Sequence, residues 1–432
     1  MNEVTVGIIG LAILFFLLSL KLPIGASLGI VGLGGLWYLK SADVAISKLA
    51  LTSWEVVANY DLAVLPLFVL MAHIVFVTGL GQDLYTLAAK WLGRLPGGLA
   101  IATQGGCAGF AAVSASSVAT AVTIGTVALP EMKRYKYDPA LSVGAIAAGG
   151  TIGILIPPSG MLILYGILTE TSIGKLFLAG FIPGILQAVF YMTAIYILCK
   201  RNPLLGPKGP SYTLREKLGA VRDCLEVIAL VVFVLAGLML GWFTATEAGA
   251  AGAFGAVIVS MLRRRLDWTK FKAALYETMK TSGMLYGILV GAYIFKYFIA
   301  VSTLPMMLTE FIGSLAWPPM AIMLCIIVLY IVLGTAMEEM SMMLLTIPIL
   351  FPLVFALGFD AIWFGIIIVR MMQIAMISPP LGINMFVIQK VAAVPIGTVY
   401  RGVIPFLYAD VVHVAMLLAF PAVVLFLPAL AR

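Results

Sequence analysis

The segment GILIPPSG at 153–160 decides the fold of this chain, because it returns as AMISPPLG at 375–382. The second Pro-Pro pair follows the first by 222 residues (379 − 157). The same offset relates three further pairs of identical residues: Pro130 with Pro352, Asp138 with Asp360, and Pro183 with Pro405. The repetition predicts that the chain contains two copies of one structural unit.

Both Pro-Pro pairs interrupt apolar runs that would otherwise form continuous helices. Proline lacks the N–H that bonds the carbonyl four residues earlier, so the first pair frees the carbonyl of Gly153 and the second that of Ala375. In lipid such groups must be satisfied by protein, water or an ion. Broken helices at matching positions of two halves indicate the binding site of a secondary transporter.

The composition is that of a polytopic helical membrane protein. Of the 432 residues, 62% are hydrophobic and 10% are charged, and no soluble core requires so much apolar sequence. The net charge of +7 is explained by basic loops on one membrane face, so lipid is an expected partner and nucleic acid is not. The sequence holds no nucleophile–base pair, metal cluster or nucleotide motif, which disfavours an intramembrane enzyme and predicts no covalent cofactor.

Two apolar stretches, 97–131 and 318–355, are interrupted by small or polar residues and are predicted to be re-entrant hairpins. The positive-inside rule places the basic loops in the cytoplasm and makes the second half inverted relative to the first. One hairpin then enters from each side, and the tips meet near the midplane. The predicted fold is therefore an all-α polytopic membrane protein with two inverted-topology repeats, re-entrant hairpins and broken helices.

The domain prediction follows this order of elements. It divides the chain into a scaffold segment at 1–61, a first transport repeat at 62–199, a region of basic loop, scaffold spans and amphipathic connector at 200–280, and a second transport repeat at 281–432. Within these ranges we expect interfacial helices at 43–58 and 267–280, a span at 281–300 and a last span at 397–428.

Oxygen atoms of the tips and breaks form two candidate constellations for a cation. The first joins Ser114, Ser116, Ser117 and Thr120 to 153–159, and the second joins Gly334, Thr335 and Glu338 to Ala375, Ser378, Pro379, Pro380 and Asn384. Hydroxyls and unwound carbonyls suit a hard cation such as Na⁺. Proline kinks and small residues also serve tight helix packing, but two breaks that each face a polar tip favour ion or substrate binding.

Arg370 lies in the middle of a predicted span, where a lone arginine costs about 2.5–3.5 kcal/mol unless it faces protein, water or an anion. Its planar guanidinium suits a carboxylate substrate, and a structural pair with Glu338 or Glu339 is the alternative. Both interpretations stay open from the sequence alone. Further expected substrate contacts are Ser117, Thr120, Asn384 and Glu338.

The chain resembles the large membrane subunit (DctM type) of tripartite ATP-independent periplasmic, or TRAP, transporters. The most specific segment is GGTIGILIPPSGMLILYGILTETSIGKLFLAGFIPG at 149–184. Further resembling segments lie at 20–33, 65–81, 92–100, 114–132, 346–365 and 378–392.

The resemblance implies Na⁺-coupled uptake of a small organic acid across the bacterial inner membrane, by an elevator movement of a transport domain against a scaffold. It also implies two partners: a periplasmic binding protein that delivers the substrate, and a small four-helix membrane subunit. A stand-alone anion symporter or antiporter that needs no binding protein is the alternative. A channel or a structural membrane protein would be a different class of function.

Carried over by position, the resemblance implies two Na⁺ sites. One comprises Ser114, Ser116, Gly153, Ile156 and Pro158, and the other comprises Gly334, Ala375, Ser378 and Leu381. The chain departs from the family pattern near these sites. It has Ser-Ala-Ser at 114–116 for Ser-Gly-Ser, Gln-Ile-Ala at 373–375 for Glu-Ile-Gly, Glu338 for an aspartate and Arg370 for an aliphatic residue. These differences leave the identity of the acid open.

Overall fold

The computed structural model describes residues 2–111, 116–315, 317–334, 337–380 and 382–430. These ranges form twenty α-helices and contain no β-strand. The first half comprises α1 (Glu3–Ser19), α2 (Ile24–Leu39), α3 (Ala42–Ala58), α4 (Val64–Thr78), α5 (Leu80–Leu92), α6 (Gly98–Ala111), α7 (Ser117–Arg134), α8 (Pro139–Thr151), α9 (Gly160–Thr169) and α10 (Ile173–Arg201). The second half comprises α11 (Leu214–Met239), α12 (Ala245–Leu262), α13 (Trp268–Val301), α14 (Leu304–Ser314), α15 (Pro319–Gly334), α16 (Glu339–Ala356), α17 (Ala361–Ile377), α18 (Ile383–Ala392), α19 (Ile396–Ala419) and α20 (Ala422–Leu430).

The helices repeat with the offset seen in the sequence. Helices α7 and α16 begin at Ser117 and Glu339, and helices α8 and α17 begin at Pro139 and Ala361, so both pairs are 222 residues apart (339 − 117 and 361 − 139). The equivalent aspartates before α8 and α17 explain why these helices begin where they do. Asp138 accepts the amide of Leu141 at 3.0 Å, and Asp360 accepts that of Trp363 at 2.9 Å, which satisfies donors that have no partner within the helix.

The predicted hairpins and broken helices are present. Helices α6 and α7 form the first hairpin and α15 and α16 the second, while α8–α9 and α17–α18 are the broken helices. Both Pro-Pro peptide bonds are cis. The base of the first hairpin is tied by a bond from Leu99 N to the Tyr137 hydroxyl at 3.1 Å. Burial raises the pKa of Tyr137 to about 12, so this phenol stays neutral at ordinary pH.

The helix boundaries differ from the sequence prediction in two places. The predicted interfacial helix at 267–280 and span at 281–300 are one continuous helix, α13, of 34 residues. The predicted last span at 397–428 is divided after Ala419, because Pro421 cannot continue the helix, and α20 follows. Helix α4 packs mainly against α12 and α13, whereas α19 packs against both α8 and α10.

Six of the described helices are long and apolar enough to cross a membrane: Tyr60–Thr78, Ile173–Arg201, Ala245–Leu262, Trp268–Val301, Glu339–Ala356 and Ile396–Ala419. The broken helices are made of shorter apolar segments, as expected for a span that is interrupted near its middle. Glycines permit the tightest helix contact. A Cβ on Gly25 of α2 would lie 2.8 Å from the Ile288 Cα of α13, so only glycine fits there.

Candidate functional site

The first hairpin tip lies directly against the first break. Helix α7 begins at the tip because Ser116 Oγ accepts the amide of Ala119 at 3.3 Å. The Thr120 hydroxyl donates to Ser116 O at 2.7 Å. A Cβ on Gly153 would lie 3.2 Å from Thr120 Oγ1 and 3.8 Å from Ser116 O. Three residues that the sequence assigned to the first constellation are thus brought together by the fold.

The break itself is a short turn of tight 3₁₀ helix at Ile152–Ile154. The Ser159 hydroxyl donates to Ile154 O and accepts the amide of Leu162, which starts α9. Within the described residues, no donor reaches the carbonyl of Gly153. This carbonyl is available to a cation, as the missing proline N–H predicted.

On the opposite face, the first Pro-Pro pair is closed by neighbouring helices. Residues 152–159, including Ile156 and Pro158, are buried. Phe68, Met71 and Phe177 pack against the prolines and leave a cavity of only about 10 Å³. A cavity of this size is at the lower limit for one water molecule.

The second break is approached closely by the second hairpin. A Cβ on Gly334, the last residue of α15, would lie 2.0 Å from the Cβ of Ala375. The carbonyl of Ala375 accepts the amide of Ser378 at 3.2 Å, and the Ser378 hydroxyl donates to Ile374 O at 2.7 Å. The predicted free carbonyl therefore has one partner, and its second lone pair is left for a cation.

Two predicted substrate residues meet between the two halves. Asn384, near the start of α18, donates through Nδ2 to Ser117 Oγ at 2.7 Å and to Ala147 O at 3.2 Å. Both Asn384 and Ser117 are buried. The Asn384 Oδ1 atom has no hydrogen-bond partner in the described part of the chain.

Glu338 lies apart from this pair, at the second hairpin tip. It is exposed and precedes α16 without a side-chain cap. Together with Ser341 and with Lys21 of the α1–α2 turn, it lines a cavity of about 310 Å³. Ser114, Thr335 and Leu381, which belong to the predicted constellations, lie outside the described residues.

Arg370 does not pair with Glu338 or Glu339, so that alternative is wrong. It is fully buried, with Nη2 on Asp410 Oδ1, Nε on His413 Nδ1 at 3.0 Å and Nη1 on Gln373 Oε1 at 2.9 Å. Protein groups therefore engage all three nitrogens, and no nitrogen is left over to face a substrate pocket.

Sequence reasoning missed Asp410, a carboxylate inside the last predicted span. The signal was present, because opposite charges in two apolar helices of one chain favour a buried pair. The ring of His413, which accepts the bond from Arg370 Nε, lies 5.4 Å from that of Phe190. Among the described residues, no group of three or more His, Cys, Asp or Glu could hold a metal ion.

Comparison with known proteins identifies the relatives of this chain. A family model described as tripartite ATP-independent periplasmic transporter, DctM component, matches residues 11–423. The large permease protein DctM of a C4-dicarboxylate TRAP transporter from Pseudomonas aeruginosa is 35% identical over 396 residues, which is 91% of this chain and 92% of that protein. The large permease protein SiaM of a sialic acid TRAP transporter from Vibrio cholerae is 30% identical and covers 96% of both chains.

A solved structure shares the fold at low sequence identity. The YdaH transporter of Alcanivorax borkumensis, whose crystal structure is described as having an unusual topology, superimposes with a TM-score of 0.63. The match covers 88% of this chain and 89% of that chain at 14% identity, which supports a likeness of fold alone.

Proposed function

This chain belongs to the DctM family of tripartite ATP-independent periplasmic transporters, and we propose that it couples the entry of Na⁺ to the uptake of a small carboxylate. It is a multi-pass protein of the bacterial inner membrane and a transporter component rather than an enzyme. The observation that carries the proposal is the pair of helix breaks, each of which lies against a hairpin tip.

We assign one Na⁺ to each break. At the first, the Gly153 carbonyl, Ser116 and Thr120 offer oxygens, and at the second, the carbonyl of Ala375 does so beside Gly334. Half-helix C-termini carry a partial negative charge that favours a cation. Ser114, Ile156, Pro158, Ser378 and Leu381 complete the two sets as the family resemblance implies.

We place the carboxylate of the substrate beside Asn384 and Ser117. Helix α18 begins at Ile383 and has no side-chain cap at Gly382, so the amides of Ile383 and Asn384 can donate to an anion. Thr120 and Glu338 are secondary candidates on the two hairpins. The substrates named for the relatives support this class, because C4-dicarboxylates and sialic acid are both organic acids. Arg370 has no place in this substrate site, since Asp410, His413 and Gln373 hold it.

We further propose an elevator movement and describe the present state as open to the cytoplasm. Pro379 and Pro380 are exposed, whereas Pro157 and Pro158 are buried. The Tyr400 hydroxyl of the first turn of α19 donates to Pro380 O at 2.6 Å, and this end of α19 is cytoplasmic by the positive-inside rule. In this proposal α4 and α13 belong to the scaffold, which moves the boundaries predicted at 62 and 281.

The partners expected from the family are a small membrane subunit and a periplasmic binding protein. The alternative, a stand-alone anion transporter, differs in one simple respect. It would transport free substrate without a binding protein.

The test is uptake by the purified large and small subunits in liposomes, with the binding protein added outside. The acid is chosen as the one that most raises the melting temperature of the binding protein. Uptake should require both an inward Na⁺ gradient and the binding protein. Equal rates with and without the gradient would remove the Na⁺-coupled function, and equal rates without binding protein would favour the stand-alone alternative.

A further inference from the structure

One side chain connects the two helix breaks. Gln373 Nε2 donates to the carbonyl of Thr151 at 2.8 Å. Thr151 is the last residue of α8 and directly precedes the 3₁₀ turn that contains Gly153, while Gln373 lies two residues before Ala375. The bond therefore links the backbone of one proposed cation site to the helix of the other.

This contact joins equivalent positions of the two repeats. Thr151 and Gln373 are 222 residues apart, so they occupy equivalent positions of the repeat. Tyr191 and His413, which have the same offset (413 − 191), belong to the same buried cluster. Equivalent residues of two inverted repeats come close together only near the axis that relates them. The cluster is thus central to both halves.

The backbone of the first break makes this bond possible. In a continuous α-helix the amide of Leu155 would bond Thr151 O, but here it bonds Ile152 O at 3.2 Å. The Thr151 carbonyl can therefore accept the amide of Gln373. The orientation of that amide is fixed by Arg370, which can only donate and does so to Gln373 Oε1 at 2.9 Å.

We propose that Gln373 is a positioning residue that couples the two cation sites, so that Na⁺ at one break favours Na⁺ at the other. The inference rests on the proposed function, because it assumes one cation at each break. A cation on the Gly153 carbonyl fixes the end of α8 and so fixes Thr151 O. Gln373 transmits that position to α17 and to the carbonyl of Ala375, and the coupling acts equally in reverse.

The test is equilibrium binding of radioactive Na⁺ to the purified complex of large and small subunits. Wild-type protein should bind cooperatively, with a Hill coefficient of about 1.4 or more for two coupled sites, whose upper limit is the number of sites. Gln373→Met should still bind at both breaks but with a Hill coefficient near ~1. Its half-saturating Na⁺ concentration should rise by roughly twofold or more, because half-saturation of two equivalent sites shifts with the square root of the coupling factor, which is about fivefold at the lower end of the typical range.

Two further variants separate coupling from simple damage to the buried cluster. Gln373→Glu keeps an acceptor for Arg370 but removes the N–H that Thr151 O receives, so it should lose cooperativity as Gln373→Met does. Gln187→Met removes another buried amide, which donates to Thr151 Oγ1 at 3.2 Å and to the Tyr191 hydroxyl at 3.3 Å. Its bonds do not reach α17, so it should keep the wild-type Hill coefficient.

Wild-type cooperativity in both Gln373 variants would overturn the inference, as would an equal loss in Gln187→Met. A wild-type Hill coefficient of one at full two-site occupancy would also overturn it. Absence of Na⁺ binding to the wild-type complex would instead contradict the proposed function. The melting temperature without Na⁺ identifies a variant that does not fold, and the other Gln373 variant then decides the result.

Discussion

The two helix breaks share one motif but have different surroundings. Residues 152–159 at the first break are buried, whereas Pro379 and Pro380 at the second are exposed. The serine whose hydroxyl donates to a backbone carbonyl next to the break also changes place. Ser159 follows the first Pro-Pro pair and Ser378 precedes the second. The repeat thus determines where the helices break, and the neighbouring helices determine which break is covered by protein.

Helix α10 explains much of this difference. A Cβ on Gly180 would lie 2.4 Å from Leu155 O, and one on Gly184 would lie 2.5 Å from Ile156 Cγ1, so glycine at both positions lets α10 pack on the first break. The position equivalent to Gly184 in the second half is Phe406 (184 + 222). In this half Pro379 and Pro380 are exposed, and the Tyr400 hydroxyl donates to Pro380 O at 2.6 Å.

Loss of the buried ion pair between Arg370 and Asp410 should lower stability more than any other change considered for the two halves. Arg370 has no charged counterpart in the first half, where the equivalent residue is Ala148 (370 − 222). Arg370→Met should lower the free energy of unfolding by roughly 3–5 kcal/mol, because it leaves Asp410 buried without its cation. Thermal unfolding of the purified protein measures this loss.

The double variant Arg370→Met/Asp410→Leu is the matched control. It removes both charges together, so most of the lost stability should return. If the double variant were no more stable than Arg370→Met, the pair would not account for the effect.

The contact between Gly334 of the second hairpin and Ala375 of the second break should be the next most sensitive. Gly334→Ala places a Cβ 2.0 Å from that of Ala375, and overpacking of this kind destabilises by about 1–3 kcal/mol. We expect a loss of Na⁺-dependent uptake, and Ala375→Gly in the same chain should restore it. At Gly283 no heavy atom lies within 4 Å of an added Cβ, so Gly283→Ala should behave as wild type. Failure of Ala375→Gly to rescue would contradict direct contact.

Replacement of Ser159 and of Ser378 by alanine should lower stability by different amounts. Ser159→Ala removes both the donor to Ile154 O and the cap of α9, for which we expect a loss of about 1–2 kcal/mol. Ser378→Ala removes only the bond to Ile374 O and should destabilise less. Melting temperatures of the two variants without Na⁺ show which loses more stability. A larger loss for Ser378→Ala would contradict the larger role assigned to Ser159.

The smallest effect tests how the outer end of α9 is held. Lys296 of α13 donates to Leu168 O at 3.0 Å and to Glu170 Oε1 at 3.3 Å, a favourable position for a cation at a helix C-terminus. In the first half the equivalent residue of α4 is Ile74 (296 − 222). Lys296→Met should change stability by less than ~1 kcal/mol. Lys175→Met, a nearby change without these bonds, should have no effect on melting, and an equal shift would contradict the assignment.

Much of the fold could be predicted because its signals are local. Proline pairs, hydroxyl-rich tips and capping aspartates act on their own backbone, so they predict helix ends and hairpins. The contact between Ser117 and Asn384 was also within reach, since both belong to elements that the repeat brings to the midplane. Separate helices at 267–280 and 281–300 were wrong, because no residue there stops α13.

The partner of Arg370 could not be predicted from its own segment. The sequence contained several carboxylates, and Glu338 and Glu339 lay on the neighbouring hairpin. Only the three-dimensional arrangement of α17 and α19 selects Asp410. The opposite exposure of the two breaks also depends on which helices cover them, and the repeat alone predicts equal environments.

The central claim is that each break binds one Na⁺ during transport. The most direct measurement is the number of Na⁺ ions that move with each substrate molecule, obtained from the initial uptake rates of radioactive Na⁺ and radioactive substrate by the reconstituted complex. Our account predicts at least two Na⁺ for each substrate in the wild-type protein. A value of one or zero would contradict it.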